Sequence, residues 1–587
     1  MIEKKLHLIL CWHMHQPDYR NLTTGEYILP WTYLHAMKDY TDMAYHLENH
    51  PKARAVFNFV PVLLDQLEDY SRQFEEGKLR DPLLALLGEE ALDRIPAERR
   101  KLIFDSCFRS NRAMMVDPYP AYKRLSELYK YQEPHGEAAL DFLSGQYLAD
   151  LLVWYHLAWC GETVRRNNEL VVRLMTKSSH FTLADRRNLL DLIGKTIQGL
   201  IPRYRKLADS GQIEISTTPH YHPIVPLLID FKVARESMHG VTLPETACYP
   251  GGLKRASFHI LSAIESHRAR FGAAPQGIWP AEGGVSQAAA TVFAEYGCRW
   301  MASGEAVLAN SLRGLDGSHP LPDRASYLYR PYRLATGDHE IVSFFRDDNL
   351  SDKIGFEYAK WFGRDAVANF IHELEKIWQN TPEGENPVVS VIMDGENAWE
   401  YYPYNGYYFL SEMYEALETH PFIHTTTFKD YLDDSIEESN IQGQLSLGLS
   451  KGSGDNVAMG ELPYLVAGSW VYGTFSTWIG SPDKNRAWDL LCAAKLSFDL
   501  VMGSGRLSKQ EIELAEKQLA DCEGSDWFWW FGDYNPQHSV ESFDKLYRDN
   551  LANLYRLLKL PVPEELGVPI SHGGGSPEAG GAMRRAH

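Results

Sequence analysis

Three things are scarce in this sequence, and each removes a class of function. Long apolar runs are missing: no segment reaches the roughly 20 consecutive apolar residues of a bilayer-spanning helix, so no membrane is expected as a partner. Cysteines number only seven, an odd count, scattered and without C-x-x-C spacing. That pattern argues for reduced thiols and a cytoplasmic setting. Positive charge is also short, with 58 Lys and Arg against 78 Asp and Glu, a formal net charge of −20. A phosphate-backbone partner would call for a basic patch, so nucleic acid is excluded and a polyanionic substrate is disfavoured. The N-terminus passes from Met1–Lys5 straight into strand-like Leu6–Trp12 and lacks a small-residue cleavage site, so no signal peptide is expected.

Aromatic residues are plentiful, with 15 Trp and 32 Tyr, many at polar, Gly-rich loop positions. Flat rings with polar edges suit a ligand that has apolar faces and hydroxyl rims, as sugars do. The same rings also pack well in cores, so composition alone leaves both readings open. At 587 residues the chain is long enough for two domains or more.

Seven short strands are expected: Leu6–Trp12, Ala55–Val60, Ile213–Thr217, Gly277–Trp279, Arg299–Ser303, Ile341–Phe345 and Val388–Met393. Most are separated by helical pattern, which is how a parallel βα barrel reads in sequence. Right-handed crossovers would then bring all seven C-terminal ends to one mouth. The fold class is thus α/β, an incomplete TIM-like (β/α)7 barrel over residues 1–425, with a helical insertion at about 82–207. A Gly/Ser-rich linker or small β element, with alternating Leu445, Leu447 and Leu449, is expected within 426–465. Helical patterns then fill 466–565, and the Gly-rich tail 566–587 is expected to be disordered.

The seventh strand is the most telling. Val388-Val389-Ser390-Val391-Ile392-Met393 is apolar enough to be buried on both faces and breaks at once into Asp394-Gly395-Glu396-Asn397-Ala398-Trp399. Barrels keep their chemistry at such strand ends. A helix cap would explain one of these carboxylates, but not two beside a Trp. Glu282, in Pro280-Ala281-Glu282-Gly283-Gly284 after the fourth strand, stands in similar surroundings. Two carboxyls facing one bond are the minimal equipment for cleaving a glycosidic link. One protonates the leaving oxygen, and the other attacks the anomeric carbon or activates water. Asp394 would have to be the protonated partner, in a drier site or beside an acid such as Glu396. Glu282 would stay ionised, held by Arg346 or a histidine.

Other residues fill out the expected mouth. His13 and His15, two apart in an extended segment, point to the same side and suit hydrogen bonds to sugar hydroxyls; without nearby paired ligands they are weak evidence for a metal. Glu214, in the middle of the third strand, needs a partner, and Arg346 is the expected one, either to orient substrate or to hold the barrel. His220 and His222 line the mouth or simply ride a Pro-bounded loop. Trp279, Trp399, Trp470 and Trp478 are the expected sugar platforms. Asp526-Trp527-Phe528-Trp529-Trp530-Phe531 is so dense in rings that interdomain packing is expected instead.

Taken together, five segments resemble the short conserved regions of glycoside hydrolase family 57, the α-amylase and amylopullulanase-like group. They are His13–Pro17; Gly211–Ile215 running on to Tyr221–Pro223; Gly277–Gly283; Met393–Glu400; and Trp470 through Trp478 with Asp483 and Trp488. The resemblance implies a (β/α)7 barrel closed over by a helical C-terminal domain. It further implies a retaining mechanism on α-glucans, with no cofactor or metal needed. By the same resemblance Glu282 is the nucleophile and Asp394 the general acid/base. His13, His15, Glu214 and Trp279 are substrate contacts, joined by Trp470 from the helical domain. One departure is Ala281, where the family often has Ser, which would cost Glu282 a hydrogen bond. A 4-α-glucanotransferase or glucan branching enzyme would use the same site. Two rival readings are a metal-dependent deacetylase, with His13, His15 and an acid as ligands, and a non-catalytic glucan-binding protein.

Overall fold

The computed structural model describes residues 4–136, 140–434, 459–575 and 584–585. Ten strands form one curled sheet: β1 (Leu6–Met14), β2 (Ala55–Phe59), β3 (Ile213–Thr217), β4 (Gly277–Ile278), β5 (Trp300–Ser303), β6 (Tyr332–Thr336), β7 (His339–Phe345), β8 (Val388–Asp394), β9 (Ile423–Thr426) and β10 (Gly460–Glu461). Seven of them run parallel in the spatial order β8-β1-β2-β3-β4-β5-β7. The ring returns to its start through one bridge, Arg346 to Ser390, with the Asp347 N–H donating to the Ser390 carbonyl at 2.8 Å. These seven are the strands expected from sequence, and the molecule is a (β/α)7 barrel with added helices. Their side chains are almost wholly buried, as both-faced burial requires.

Three strands were not expected. β6 forms an antiparallel hairpin with β7 across Gly337-Asp338, where Gly337 supplies the left-handed backbone (φ 67°) that tight hairpins need. β9 lies beside the first half of β1 (Leu6–Ile9), and β2 pairs with the second half (Cys11–Met14). β10 pairs two residues with β6.

Between β2 and β3 the described residues from Pro82 to Asp209 hold helices and no strand. The expected Gly/Ser-rich element with Leu445, Leu447 and Leu449 falls in 435–458, outside the described residues. After Trp470 the chain is helical again: Pro482–Ser504, Lys509–Cys522, Asp526–Trp530 and Gln537–Leu557. This bundle is clamped to the barrel by Glu523. Its carboxylate is fully buried and accepts from Arg255 (2.8 Å) and His259 (2.7 Å) on the barrel helix Gly252–Phe271, and from the Tyr249 hydroxyl (2.5 Å). Residues 566–575 do not follow the expectation of a disordered tail. Ile570 and Ser571 are buried, Asp544 accepts from the Ile570 N–H at 2.7 Å, and the Gly532 N–H donates to Ser571 Oγ.

Candidate active site

The barrel floor under the site is a hydrogen-bonded row. His13, near the end of β1, donates from Nδ1 to Asn58 Oδ1 on β2 at 2.6 Å, and Asn58 Nδ2 donates onward to Ser216 Oγ and the Thr217 carbonyl on β3. The Asn58 amide oxygen thereby fixes the His13 tautomer. His15, just past the strand, stacks on His222 at 4.0 Å, and His13 lies 5.2 Å from the same ring. Buried imidazoles packed against other rings resist protonation, as His13 and His222 do here. Burial and the neighbouring His15 lower His13 to about 3, and burial takes His222 well below the ordinary range.

Glu282 sits in a short turn after β4 with φ 58° and ψ 26°, a left-handed conformation that costs a non-Gly residue of order 1–3 kcal/mol. Backbone pairing holds it there: the Trp470 N–H donates to the Glu282 carbonyl at 3.2 Å, and Ser303 Oγ donates to the Gly283 carbonyl at 2.6 Å. The strained turn lifts the side chain toward the helical bundle, where both oxygens find donors. Trp470 Nε1 donates to Oε2 at 3.0 Å, and Ser525 Oγ reaches Oε1 at 3.4 Å. Ser525 in turn accepts from His222 Nδ1 at 2.8 Å. Buried Ala281 offers no hydroxyl here, and the second donor to Glu282 is supplied by Ser525, from the other end of the chain.

Asp394 closes β8 directly opposite His13 in register. Asn397 Nδ2 donates to its Oδ2 at 3.0 Å. Gly395 follows because a Cβ there would lie 2.5 Å from the Met14 sulfur. Buried Glu396 accepts from the His15 backbone N–H at 3.2 Å. Burial raises all three acids. Glu282 reaches about 8, with Asp394 and Asp526 adding to the rise and the Trp470 and Ser525 bonds opposing it. Asp394 is raised by burial against the pull of Asn397, His15 and Arg346, and Glu396 is raised well above the carboxylate range by burial and Asp394. Like charges in one dry site cannot all ionise, so the acids share protons.

That electrostatic pattern differs from the expected one. Glu282 is raised as well as Asp394, where an ionised Glu282 was expected, and among the described residues no Lys or Arg touches it. Arg346 is spent elsewhere, on Asp348 (2.6 Å), Asp352 (2.8 Å) and the Ile392 carbonyl (2.7 Å), and its charge favours ionised Asp394 rather than Glu282. The nearest histidine nitrogen, His222 Nδ1, is 4.0 Å from Glu282 Oε1.

A cavity of about 270 Å3 joins most of the expected residues. Glu282, Asp394 and Glu396 line it with His13, His15 and His222, and Trp279 and Trp470 meet edge to face at 6.4 Å in its wall. Four expectations fail. Glu214 is not in the cavity: Trp300 Nε1 and the Lys429 backbone N–H satisfy its two oxygens at 2.8 and 2.9 Å, so it braces the barrel and makes no pair with Arg346. Arg346 is buried behind the wall, its guanidinium 5.0 Å from the Trp470 ring. Trp399 is a core residue that donates to the Gly395 carbonyl and packs on Trp12. Trp478 is likewise fully buried.

Sequence reading also missed residues. Asp526 lines the cavity and accepts from His15 Nε2 at 2.8 Å, and Trp529 and Trp530 form part of the wall, so this segment belongs to the site as well as to packing. The one signal was a polar Ser-Asp pair opening a run of rings. Among the described residues, His15, His222 and Asp526 could also bracket a cation, each offering an atom within 4.8 Å of the others. His13 is outside that group, unlike the ligand set a deacetylase reading expected.

Residues 9–443 match the model of glycosyl hydrolase family 57. No curated protein matches the sequence. Three solved structures share the fold over nearly the whole chain. A branching enzyme from the archaeon Thermococcus kodakaraensis is 16% identical with a TM-score of 0.56, covering 94% of this chain and 90% of its own. A branching enzyme from Pyrococcus horikoshii is 15% identical at TM-score 0.53, with 99% of both chains covered. An α-amylase from Thermotoga maritima is 15% identical at TM-score 0.54, with 96% and 95% covered.

Proposed function

Because this chain belongs to glycosyl hydrolase family 57 and is a glycoside-active enzyme, we propose that it cleaves α-glucans with retention, by double displacement. Glu282 attacks the anomeric carbon as its carboxylate. The bond to the leaving oxygen breaks as Asp394 delivers its proton there, and a glucosyl ester on Glu282 results. Asp394, now ionised, then takes a proton from water, whose oxygen displaces Glu282 and restores both groups. The observation that carries this reading is that both carboxyls line one cavity, with burial raising both and Asp394 adding to the rise of Glu282. A monoprotonated pair is what the first step consumes. The productive form has the proton on Asp394, and the positive charge developing on the sugar ring favours an ionised Glu282.

His13 and His222, kept neutral by burial, and His15 stacked beside them are suited to hydrogen-bond sugar hydroxyls. Trp279 and Trp470 present rings to the sugar faces. Replacing Glu282 by Gln or Asp394 by Asn, assayed on amylose with EDTA present, should lower kcat by at least a thousandfold while the parent stays active. Parent-like rates in either variant would end the assignment, and loss of parental activity to EDTA would favour metal chemistry at His15, His222 and Asp526.

Transfer to a sugar acceptor is the second reading. It is favoured by Trp529, Trp530 and Phe543 in the cavity lining, aromatic rings on which an acceptor sugar could stack. Two of the similar structures above are branching enzymes. Product analysis separates the outcomes: new reducing ends report hydrolysis, whereas redistributed chain lengths or new α-1,6 signals report transfer.

A further inference from the structure

Among the described residues eight non-glycines adopt a left-handed backbone, and two of them, His222 and Glu282, line the cavity. Two more are consecutive, Tyr404 (φ 55°) and Asn405 (φ 53°), and Gly406 continues the turn (φ 72°). Such a turn is costly and is pinned from inside, Asn405 Nδ2 donating to buried Asp42 at 2.8 Å. Its effect is to hold Tyr404 outward, 55% exposed. Tyr408, 45% exposed, meets it edge to face at 5.6 Å, and Tyr407 meets Tyr408 at 5.4 Å. Arg166 lies among all three, its guanidinium 4.2 Å from the Tyr407 ring and 5.0 Å from Tyr408, with Nη2 donating to the Tyr408 hydroxyl at 3.1 Å.

This cluster follows directly along the chain from a residue that lines the cavity. Glu400 lines the cavity, and Tyr401, the next residue, is 52% exposed. Tyr404 lies four positions after Glu400, so their Cα atoms lie within about 14 Å. Buried aromatics serve packing, but rings strained outward and braced by a guanidinium offer faces for an apolar surface and hydroxyls for a polar rim. A linear sugar chain presents both.

We propose that Arg166, Tyr401, Tyr404 and Tyr408 form a surface site that holds the part of a long α-glucan lying beyond the catalytic cavity. The proposal rests on the α-glucan reading for its ligand but not on turnover. Retention on a glycogen-containing native gel, measured in the Glu282→Gln background, tests it without catalysis. Tyr404→Gly keeps the left-handed turn, which glycine adopts freely, so the variant combined with Tyr408→Ala should fold. The pair should weaken glycogen retention about tenfold, the loss expected of two ring contacts. In the active background it should raise KM for amylose more than KM for maltotriose. Tyr131→Ala, an exposed ring elsewhere (70%), should change neither. Unaltered retention in the double variant, or a parent that glycogen does not retard, would overturn the proposal. A parent that binds glycogen yet cleaves no glucan would instead refute the enzymatic reading and leave this site standing.

Discussion

Glu282 concentrates the chemistry of this molecule in one strained residue. Its proton affinity is raised by burial and by two carboxylates, Asp394 and Asp526, and lowered by Trp470 and Ser525. The active pair carries one proton, so kcat/KM should fall as pH rises past about 8, where the last proton leaves. Removing a negative neighbour lowers the Glu282 pKa. Asp526→Asn should therefore move the alkaline limb of the kcat/KM profile to lower pH, and a limb that stays put or moves up would show that Asp526 does not act on Glu282. Much of this was legible residue by residue. Acidic, Gly-flanked strand ends in the sequence pointed to both Glu282 and Asp394. Asp526 and Ser525 were not legible, because 243 residues separate Ser525 from the carboxylate it touches and the rings around them read equally well as core. Trp399 failed for the same reason in reverse: a Trp beside an acidic loop looks alike whether it faces a sugar or the interior.

At the scale of elements, the position of Asp526 depends on a helix junction. Glu523 lies three residues before it, at the end of Lys509–Cys522, and is buried against Arg255, His259 and Tyr249 of the barrel. The Arg255 guanidinium holds Glu523 ionised, at about 2. Its folded pKa is depressed, so its contribution to stability is fully present above the unfolded value of about 4.3 and is lost as pH falls toward about 2. Glu523→Ala leaves buried Arg255 only its longer contact to Glu516 (3.7 Å) and should cost about 3–5 kcal/mol, read as a lowered Tm at pH 7 and a smaller difference from the parent at pH 3. Equal Tm values at pH 7 would remove Glu523 as the anchor of the bundle. The strands show why some elements were readable. Val388–Met393 and Leu6–Trp12 are long apolar runs buried on both faces, whereas β6 alternates exposure over five residues and β9 and β10 are shorter still. Glu214 on β3 looked like half of an ion pair, but its partners are an indole and a backbone N–H, which sequence cannot announce.

The whole molecule brings three remote parts of the chain to one cavity: strand ends of the barrel, the Trp470 segment, and the first residues of helix Asp526–Trp530. The barrel closes through a single bridge beside Arg346, which also backs Trp470, so the closure and the cavity wall share a residue. No helix among the described residues is long and apolar enough to cross a membrane. The family resemblance was legible because its five short segments are the strand ends and the Trp470 loop, whereas the packing of the helical bundle against them emerges only in three dimensions. If Glu282 and Asp394 work across this cavity as nucleophile and proton donor, a 5-fluoro-α-glucosyl fluoride should inactivate the enzyme with one sugar bound per chain. Peptide mass mapping should then place that sugar on Glu282. A label on any other residue, or an inverted product by NMR in the first turnover, would contradict the account.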